Sequence, residues 1–384
     1  MKHLASRFKT TAACMAVAAT LLTGAAQAAD PIKIGAPFIF SGPGAFTGES
    51  SKLALEMLAE ETNAAGGIGG RPVQFIYYDT EGKPDVAVRV INRLVKSDQV
   101  HAVLGPIASW EVAAVKQVLE SSGTPTLLLA SARAFVDPPS RCIFKLPTDD
   151  KIVVARLYEY LRAAAMTRVA VVSGQDGYGD GGQRELQAQA KANGIDIVFD
   201  EKFSMDDTDL APLLNKIKRA NAQVVINWSS SRAPIVLTNA YRQVGLTLPL
   251  IHGPGALSEA VLKGTLANGE GMMSAGPKFE AAEELAATDP QRAPLLRFRE
   301  AYKKKNNKDA NQFGGGAYDA YQILKAALQK SGTDPAKLCS AIAETRNYVG
   351  VGGVYNYSDT DHAGLTKDAV VIYRVEGGKW KLAR

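Results

Sequence analysis

The amino-acid sequence predicts an α/β protein built from two doubly wound lobes. Short apolar strands alternate with amphipathic helices from residue 32 to about residue 135, and the alternation starts again near residue 149. Strands separated by helices of this length pair in parallel through right-handed crossovers. The 384 residues also exceed what one hydrophobic core usually holds, so two domains are expected.

The first half of the chain predicts four strands, each followed by a helix or by a turn of small residues. The strands are expected at residues 32–40, 73–78, 101–104 and 126–129, and the first two helices at residues 49–63 and 85–97. The third helix should begin near Ser109, because Val112, Val115 and Leu119 recur on one face. Ligands of parallel sheets sit beyond the carboxyl ends of the strands, so these turns are candidate binding sites.

The second half repeats this pattern and then becomes mostly helical. Strands are expected at residues 169–172, 195–199, 224–227 and 250–251, and helices at residues 149–165, 292–306, 318–331 and 335–344, with another ending at residue 193. A closing hairpin of residues 369–375 and 379–382 turns at Gly377 and Gly378. Since no low-complexity linker separates the halves, the chain is expected to cross between the lobes more than once, through a hinge.

Ser109 stands where the third strand passes into its helix. The position is that of a helix N-cap. A helix N-terminus also offers free backbone N–H groups and a positive dipole end, which suit a carboxylate. The residues alone leave two roles open for Ser109, a cap of its own helix or a ligand contact.

Residues 1–28 have the pattern of a removable secretory signal. Three basic residues precede an apolar run at residues 11–22 that is too short to span a bilayer, and an A-x-A cleavage site ends at Ala28. Cys14 falls inside this segment and is not preceded by the apolar run of a lipid-attachment site. We therefore expect export of a free, soluble protein to the periplasm.

The composition is that of an ordinary globular protein, with 46% hydrophobic and 22% charged residues. Removal of the signal leaves 41 basic and 39 acidic residues, a net charge of +2. This balance gives no reason to expect a nucleic-acid partner. Cys142 and Cys339 remain in an oxidising compartment, where the pair could form a disulfide; their spacing fits no metal site.

The enzyme hypothesis with most support is a dinucleotide-dependent dehydrogenase. The turn SGPGAFTG lies between a strand and a helix, and Asp79 ends the second strand where a ribose-binding acid would stand. The glycine spacing differs by one residue, however, and the signal lacks the twin arginines that export a folded cofactor enzyme. Motifs for a nucleophilic serine, a zinc protease and a P-loop are also missing from the sequence. We therefore expect neither an enzyme nor a cofactor.

Several longer segments resemble one known family. They are IKIGAPFIFSGPGAFTGES, AEETNAAGGIGGRPVQFIYYDTEGKPDVAVRVINRLV, VHAVLGPIAS, SGTPTLLLASA and AYDAYQILKAAL. Over nearly the whole mature length the chain resembles the periplasmic solute-binding proteins of the leucine/isoleucine/valine-binding, or type I, family. The resemblance implies two Rossmann-like lobes joined by a three-crossover hinge, a cleft that closes on a small solute, and delivery of that solute to an ABC permease in the inner membrane. We expect a monomer.

The resemblance also implies how the chain divides between the lobes. The first lobe would contain residues 29–147 and 275–364, and the second lobe residues 148–274 and 365–384. The three crossovers would lie near residues 146–149, 273–274 and 365–368.

Eight ligand-binding residues follow from the same resemblance. They are Phe46, Thr47, Ser109, Ser131, Arg133, Tyr178, Trp228 and Arg232. Ser109 and Ser131 match positions that hold a ligand carboxylate, and Tyr178 matches a tyrosine that covers the ligand from the second lobe. Arg133 has two interpretations, a solvated surface charge or a bidentate grip on an acid.

The ligand is expected to differ from the family's branched-chain amino acids. Amino-acid binders in the family place an acid after the strand that corresponds to residues 250–251, where it pairs with the ligand's ammonium. This chain reads HGPGALSEA there, with Pro254 at that position and no acid before Glu259. A buried, unpaired ammonium costs several kcal/mol, so we expect a small carboxylate without an amine, such as an aromatic acid. Two alternatives stay open: Glu259 or Asp176 pairing with an amino acid, and a ligand-sensing subunit of a receptor.

Overall fold

The computed structural model describes residues 29–42 and 44–383, which form two lobes with a sheet in each. The signal peptide expected at residues 1–28 lies outside the described residues. Within the described part of the chain, no helix is long and apolar enough to cross a membrane.

The first lobe contains a five-stranded parallel sheet. Its elements are β1 (Ile32–Phe38), α1 (Ala45–Ala64), β2 (Val73–Asp79), α2 (Pro84–Asn92), β3 (Ala102–Leu104), α3 (Ser109–Ser122), β4 (Thr126–Leu128) and β5 (Ile143–Lys145). The strand order is β2-β1-β3-β4-β5. The order reverses between β1 and β3, so their carboxyl ends flank a crevice where ligands of such sheets bind.

The second lobe repeats this order in a larger sheet. Its elements are α4 (Asp150–Ala163), β6 (Arg168–Gly174), α5 (Gly177–Ala190), β7 (Asp196–Phe203), α6 (Ala211–Ile217), β8 (Val224–Trp228), α7 (Ala233–Gln243), β9 (Leu250–His252), α8 (Glu259–Thr265) and β10 (Met273–Pro277). The strands follow one another as β7-β6-β8-β9-β10, and the reversal between β6 and β8 creates a second crevice.

The chain then returns to the first lobe before it finishes in the second. The remaining elements are α9 (Arg292–Asn306), α10 (Gln312–Ser331), α11 (Pro335–Ala343), β11 (Tyr348–Val349), β12 (Val354–Tyr355), β13 (Val370–Glu376) and β14 (Lys379–Leu382). Helix α10 packs on the first lobe, where Tyr321 Oη donates a hydrogen bond to Thr62 Oγ1 in α1 at 2.8 Å. Strands β13 and β14 extend the second sheet in antiparallel pairs. The two-lobed α/β fold and the closing hairpin are thus confirmed.

Two details add to or correct the expectations. Cys142 and Cys339 form a disulfide, which ties the segment before β5 to α11 within the first lobe. All five residues of β10 pair with β13, so the chain leaves the second sheet after Pro277 and not at residues 273–274. The resemblance placed this crossover early because the apolar run of residues 271–276 gives no local sign of where a strand ends.

Candidate ligand-binding cleft

A cavity of about 120 Å³ lies between the two lobes, at the carboxyl ends of both sheets. The first lobe contributes the turns after β1, β3 and β4 and the first turn of α10. The second lobe contributes the turns after β6, β8 and β9. The cavity therefore joins the two crevices that the strand orders create.

Ser109 lines this cavity as the first residue of α3. The expected N-cap role is wrong: Ala108 takes the cap position, and no side-chain hydrogen bond caps the helix. The Ser109 hydroxyl makes no hydrogen bond to any described residue, although the residue is only 3% exposed. The first turn of a helix also has N–H groups without backbone partners, and its dipole favours an anion. Ser109 can therefore donate a hydrogen bond to a ligand.

Tyr178 faces the cavity from the second lobe. Asp176 caps α5 by accepting hydrogen bonds from the N–H groups of Tyr178 and Gly179, at 3.0 and 2.7 Å. The Tyr178 hydroxyl in turn accepts from Gly255 N at 2.9 Å, which fixes the ring over the cavity. Burial raises the pKa of Tyr178 above its usual value, so the hydroxyl keeps its proton and can donate it to a ligand.

Phe46, Thr47 and Ser131 also line the cavity. Phe46 lies in the first turn of α1 and meets the ring of Phe313 edge to face, with the centroids 5.6 Å apart. Thr47 Oγ1 donates to Gly44 O at 2.8 Å, so its hydroxyl already has an acceptor. These residues provide an aromatic wall and further polar groups in the first lobe.

The structure does not bring the other three predicted residues into the cavity lining. Trp228 ends β8, is 1% exposed and lies behind Tyr178, with the ring centroids 6.0 Å apart. Arg232 is exposed at the N-terminus of α7. Arg133 is surrounded by the carboxylates of Asp149, Asp361 and Asp137, at 3.1, 3.3 and 3.4 Å. It is neither a solvated charge nor a free anion-binding group.

Sequence reasoning missed several lining residues that come from distant parts of the chain. They include Leu129, Leu146, Phe279, Gln312, Phe313 and Tyr355. Gln312 Nε2 donates to Leu257 O at 2.9 Å and to Pro254 O at 3.2 Å, so the lobes touch across the cleft. Ser230 Oγ is buried without a hydrogen-bond partner among the described residues. Buried polar atoms are normally hydrogen-bonded, and a ligand in the cavity could provide the missing partner of Ser230 Oγ.

No Asp, Glu, Lys, Arg or His stands among the described residues that line the cavity. Glu259, which could have paired with an ammonium, is 73% exposed and lies 2.8 Å from Lys263. Asp176 lies outside the lining, and its Oδ1 caps α5. Glu111 is buried in the first turn of α3 outside the lining, and burial raises its pKa to about 7. The described residues also contain no group of three or more side chains suited to a metal ion.

The turn SGPGAFTG, considered above for a dinucleotide, leads into α1 and contributes Phe46 and Thr47 to the cavity. Asp79 Oδ1 accepts hydrogen bonds from the backbone N–H groups of Phe40 and Glu81, at 2.9 and 2.8 Å. Although partial burial opposes the effect, these bonds lower the pKa of Asp79. The carboxylate therefore fastens the turns after β1 and β2.

The matching strand orders and the shared cavity define a bilobal binding protein. A family model described as periplasmic binding protein matches residues 31–379, and the chain belongs to this family. The family consists of binding proteins, which speaks against the dehydrogenase hypothesis.

The chain is also similar to three known proteins. It is 26% identical over 357 residues to a leucine-, isoleucine-, valine-, threonine- and alanine-binding protein of Pseudomonas aeruginosa, covering 89% of both chains. Its fold is similar to an extracellular ligand-binding receptor from Rhodopseudomonas palustris HaA2, with a TM-score of 0.86, 22% identity and coverage of 92% of this chain and 99% of the other. It is also similar to a solute-binding protein of an ABC transporter from R. palustris in complex with benzoate, with a TM-score of 0.78, 19% identity and coverage of 92% and 95%.

Proposed function

We propose that this protein is the periplasmic solute-binding component of an ABC transporter and that it binds a small carboxylate without an amine. As a monomer, it would close on this ligand and deliver it to the permease in the inner membrane. The observation that carries the proposal is the uncharged lining of the cavity. The ligand class and the permease partner are both part of the proposal.

An amino acid would leave its ammonium without a carboxylate partner in this cavity. Glu259 is exposed and paired with Lys263, and Asp176 lies outside the cavity lining, where its Oδ1 caps α5. Burying an unpaired ammonium costs several kcal/mol, which corresponds to a loss of more than a hundredfold in affinity. An acid without an amine avoids this cost.

A ligand carboxylate has suitable donors on both sides of the cleft. Ser109 offers a hydroxyl at the N-terminus of α3, Tyr178 offers its phenolic proton, and Ser230 offers a buried hydroxyl without another partner. Hydrogen bonds to a charged acceptor are about twice as strong as neutral ones. Because the donors belong to both lobes, binding would favour the closed arrangement.

The apolar side of the cavity suits a ring or a bulky hydrocarbon group. Phe46 and Phe313 form an edge-to-face pair, and Leu129, Phe279 and Tyr355 lie along the same lining. Aromatic groups contribute binding energy through such contacts beyond the area that they bury. The P. aeruginosa relative carries the name of an amino-acid binder and the R. palustris relative was crystallised with benzoate, so this fold accommodates both ligand classes.

Isothermal titration calorimetry with two groups of probes tests the proposal. One group contains benzoate and trans-cinnamate, and the other contains leucine, isoleucine and valine. We expect binding of at least one acid and no binding of the amino acids below millimolar concentrations. Micromolar binding of leucine would refute the argument from the missing ammonium partner.

A further inference from the structure

Helix α10 contains three consecutive glycines near its N-terminus, Gly314, Gly315 and Gly316, directly after Phe313. Glycine is the poorest helix former apart from proline, because it loses the most backbone freedom on folding. Three glycines in the first turns of a 20-residue helix therefore need a structural reason.

Packing within the first lobe explains two of them. A Cβ atom on Gly314 would lie 2.6 Å from Ser50 Oγ and 3.1 Å from Ser50 O in α1. A Cβ atom on Gly315 would lie 2.7 Å from Val351 Cγ1 and 3.0 Å from the ring of Phe279. Both glycines are buried, and any larger residue would push these neighbours apart.

Packing does not explain Gly316. The nearest heavy atom to a Cβ built there is Leu129 Cδ2 at 3.8 Å, which is an ordinary van der Waals contact. Gly316 is also the one glycine of the three that is not buried, and it lines the ligand cavity together with Leu129. A side chain at this position would enter space that the protein itself leaves open.

We infer that Gly316 determines ligand specificity by keeping this space free for the apolar end of the ligand. The site would then select carboxylates that carry a bulky apolar group, and small acids would leave the space beside Leu129 empty. This inference rests on the proposed function, because it assumes that the cavity binds a carboxylate. The proposed function concerns the polar end of the ligand, which lacks an amine, whereas this inference concerns its apolar end. Either proposal can therefore be refuted without the other.

Gly316→Ala tests the inference, with benzoate and trans-cinnamate as a short and a long acid, and alanine and leucine as a short and a long amino acid. Alanine favours the helix, and its Cβ fits at 3.8 Å, so the thermal midpoint of the ligand-free protein should rise. Calorimetry should show a tenfold or greater loss of affinity for the longest acid bound by the wild type and a smaller loss for the shorter one. Gly316→Leu should abolish binding of both acids.

Ala326→Gly is the matched control, because Ala326 is exposed in the same helix. It should lower the thermal midpoint and leave every affinity unchanged. Equal affinities of Gly316→Ala and the wild type for all probes would overturn the inference, and so would a lowered midpoint of Gly316→Ala.

The two proposals are separated by the wild-type titrations. If leucine binds and the acids do not, the proposal of a ligand without an amine is refuted. The role of Gly316 is then decided by whether Gly316→Ala loses more affinity for leucine than for alanine. If none of the four probes binds the wild type, both proposals are refuted.

Discussion

The ligand cleft and the adjoining first crossover differ in how they use charge. The described lining of the cleft contains no charged side chain. The segment that leaves the first lobe beside it contains Lys145, Asp149 and Asp150, all buried, and Arg133 lies against it. Charges buried in a protein are tolerated where partners surround them. The crossover provides such partners and the cleft does not, which is why a ligand ammonium is not expected there.

The charges of the crossover join the two lobes. Arg133 belongs to the first lobe and contacts Asp149, whose Oδ1 caps α4 of the second lobe through Ile152 N at 2.9 Å. The backbone N–H of Arg133 also donates to Asp150 Oδ1 at 2.9 Å. Lys145 is fully buried and donates to Pro147 O. Burial lowers the pKa of Lys145 below its usual value. We interpret this group of residues as a structural clamp at the hinge.

The largest effect should come from Arg133→Met, which keeps most of the side-chain volume and removes the charge. It leaves Asp149, 1% exposed on its side chain, without its cation. Breaking a buried ion pair in this way costs about 3 kcal/mol of unfolding free energy. Urea denaturation measures this loss, and ligand affinity should stay within threefold of the wild type.

Arg232→Met is the control for this substitution, because Arg232 is exposed and should change stability by no more than about 0.5 kcal/mol. If Arg133→Met instead loses ligand affinity and keeps the wild-type free energy of unfolding, Arg133 serves the cleft and not the crossover. Arg133 would then be the anion-binding residue that the sequence suggested.

These two regions also differ in how far the sequence predicted them. Ser109 was predicted because it follows a strand of a parallel sheet within a few residues, and Tyr178 because it matches a tyrosine of the family that the chain resembles; both line the cavity. The ion pair of Arg133 with Asp361 was not found, since Asp361 is more than 200 residues away in the chain. Gln312 and Phe313 were missed for the same reason. Helix α10 returns to the first lobe through tertiary packing, which the local sequence pattern does not show. The three-residue strand β5 is too short to show a periodic pattern.

Tyr178→Ala should give the largest loss of binding within the cleft. The substitution removes a buried ring and the hydroxyl held by Gly255, and an anchor of this kind contributes about 2 kcal/mol or more. Tyr178→Phe keeps the ring and should lose only about 1 kcal/mol. Calorimetry with the tightest-binding acid measures both. Wild-type affinity in Tyr178→Ala would mean that the ring only fills space over Trp228.

Ser109→Ala should weaken binding by about 2 kcal/mol, because it removes a hydrogen bond to a charged group. Stability should hardly change, since the hydroxyl caps no helix and has no partner among the described residues. Thr47→Val is a useful comparison, because the Thr47 hydroxyl already donates to Gly44 O. A larger loss of affinity in Thr47→Val than in Ser109→Ala would contradict the proposed place of the carboxylate.

The last prediction concerns the pH dependence of stability, to which a buried carboxyl of the crossover should contribute. Burial raises the pKa of Asp150 to about 6, although Arg133 N–H and Lys145 oppose this shift; Asp149 and Glu185 add to it. In the unfolded chain the group has its ordinary value of 3.8. Between these two values the folded protein binds more protons than the unfolded chain, so stability falls as the pH rises from about 4 to about 6.

Asp150→Asn removes this contribution, and its stability should fall less steeply across that window than the stability of the wild type. Glu111, Glu280 and Asp319 have pKa values raised by burial in the same direction, so part of the slope should remain. Urea denaturation at pH 4, 5, 6 and 7 measures the difference. Ligand affinity at pH 8 should stay within twofold of the wild type, because Asp150 lies outside the cavity lining. Equal slopes in the two proteins, or a tenfold loss of affinity in the variant, would show that the crossover and the cleft do not divide their tasks in this way.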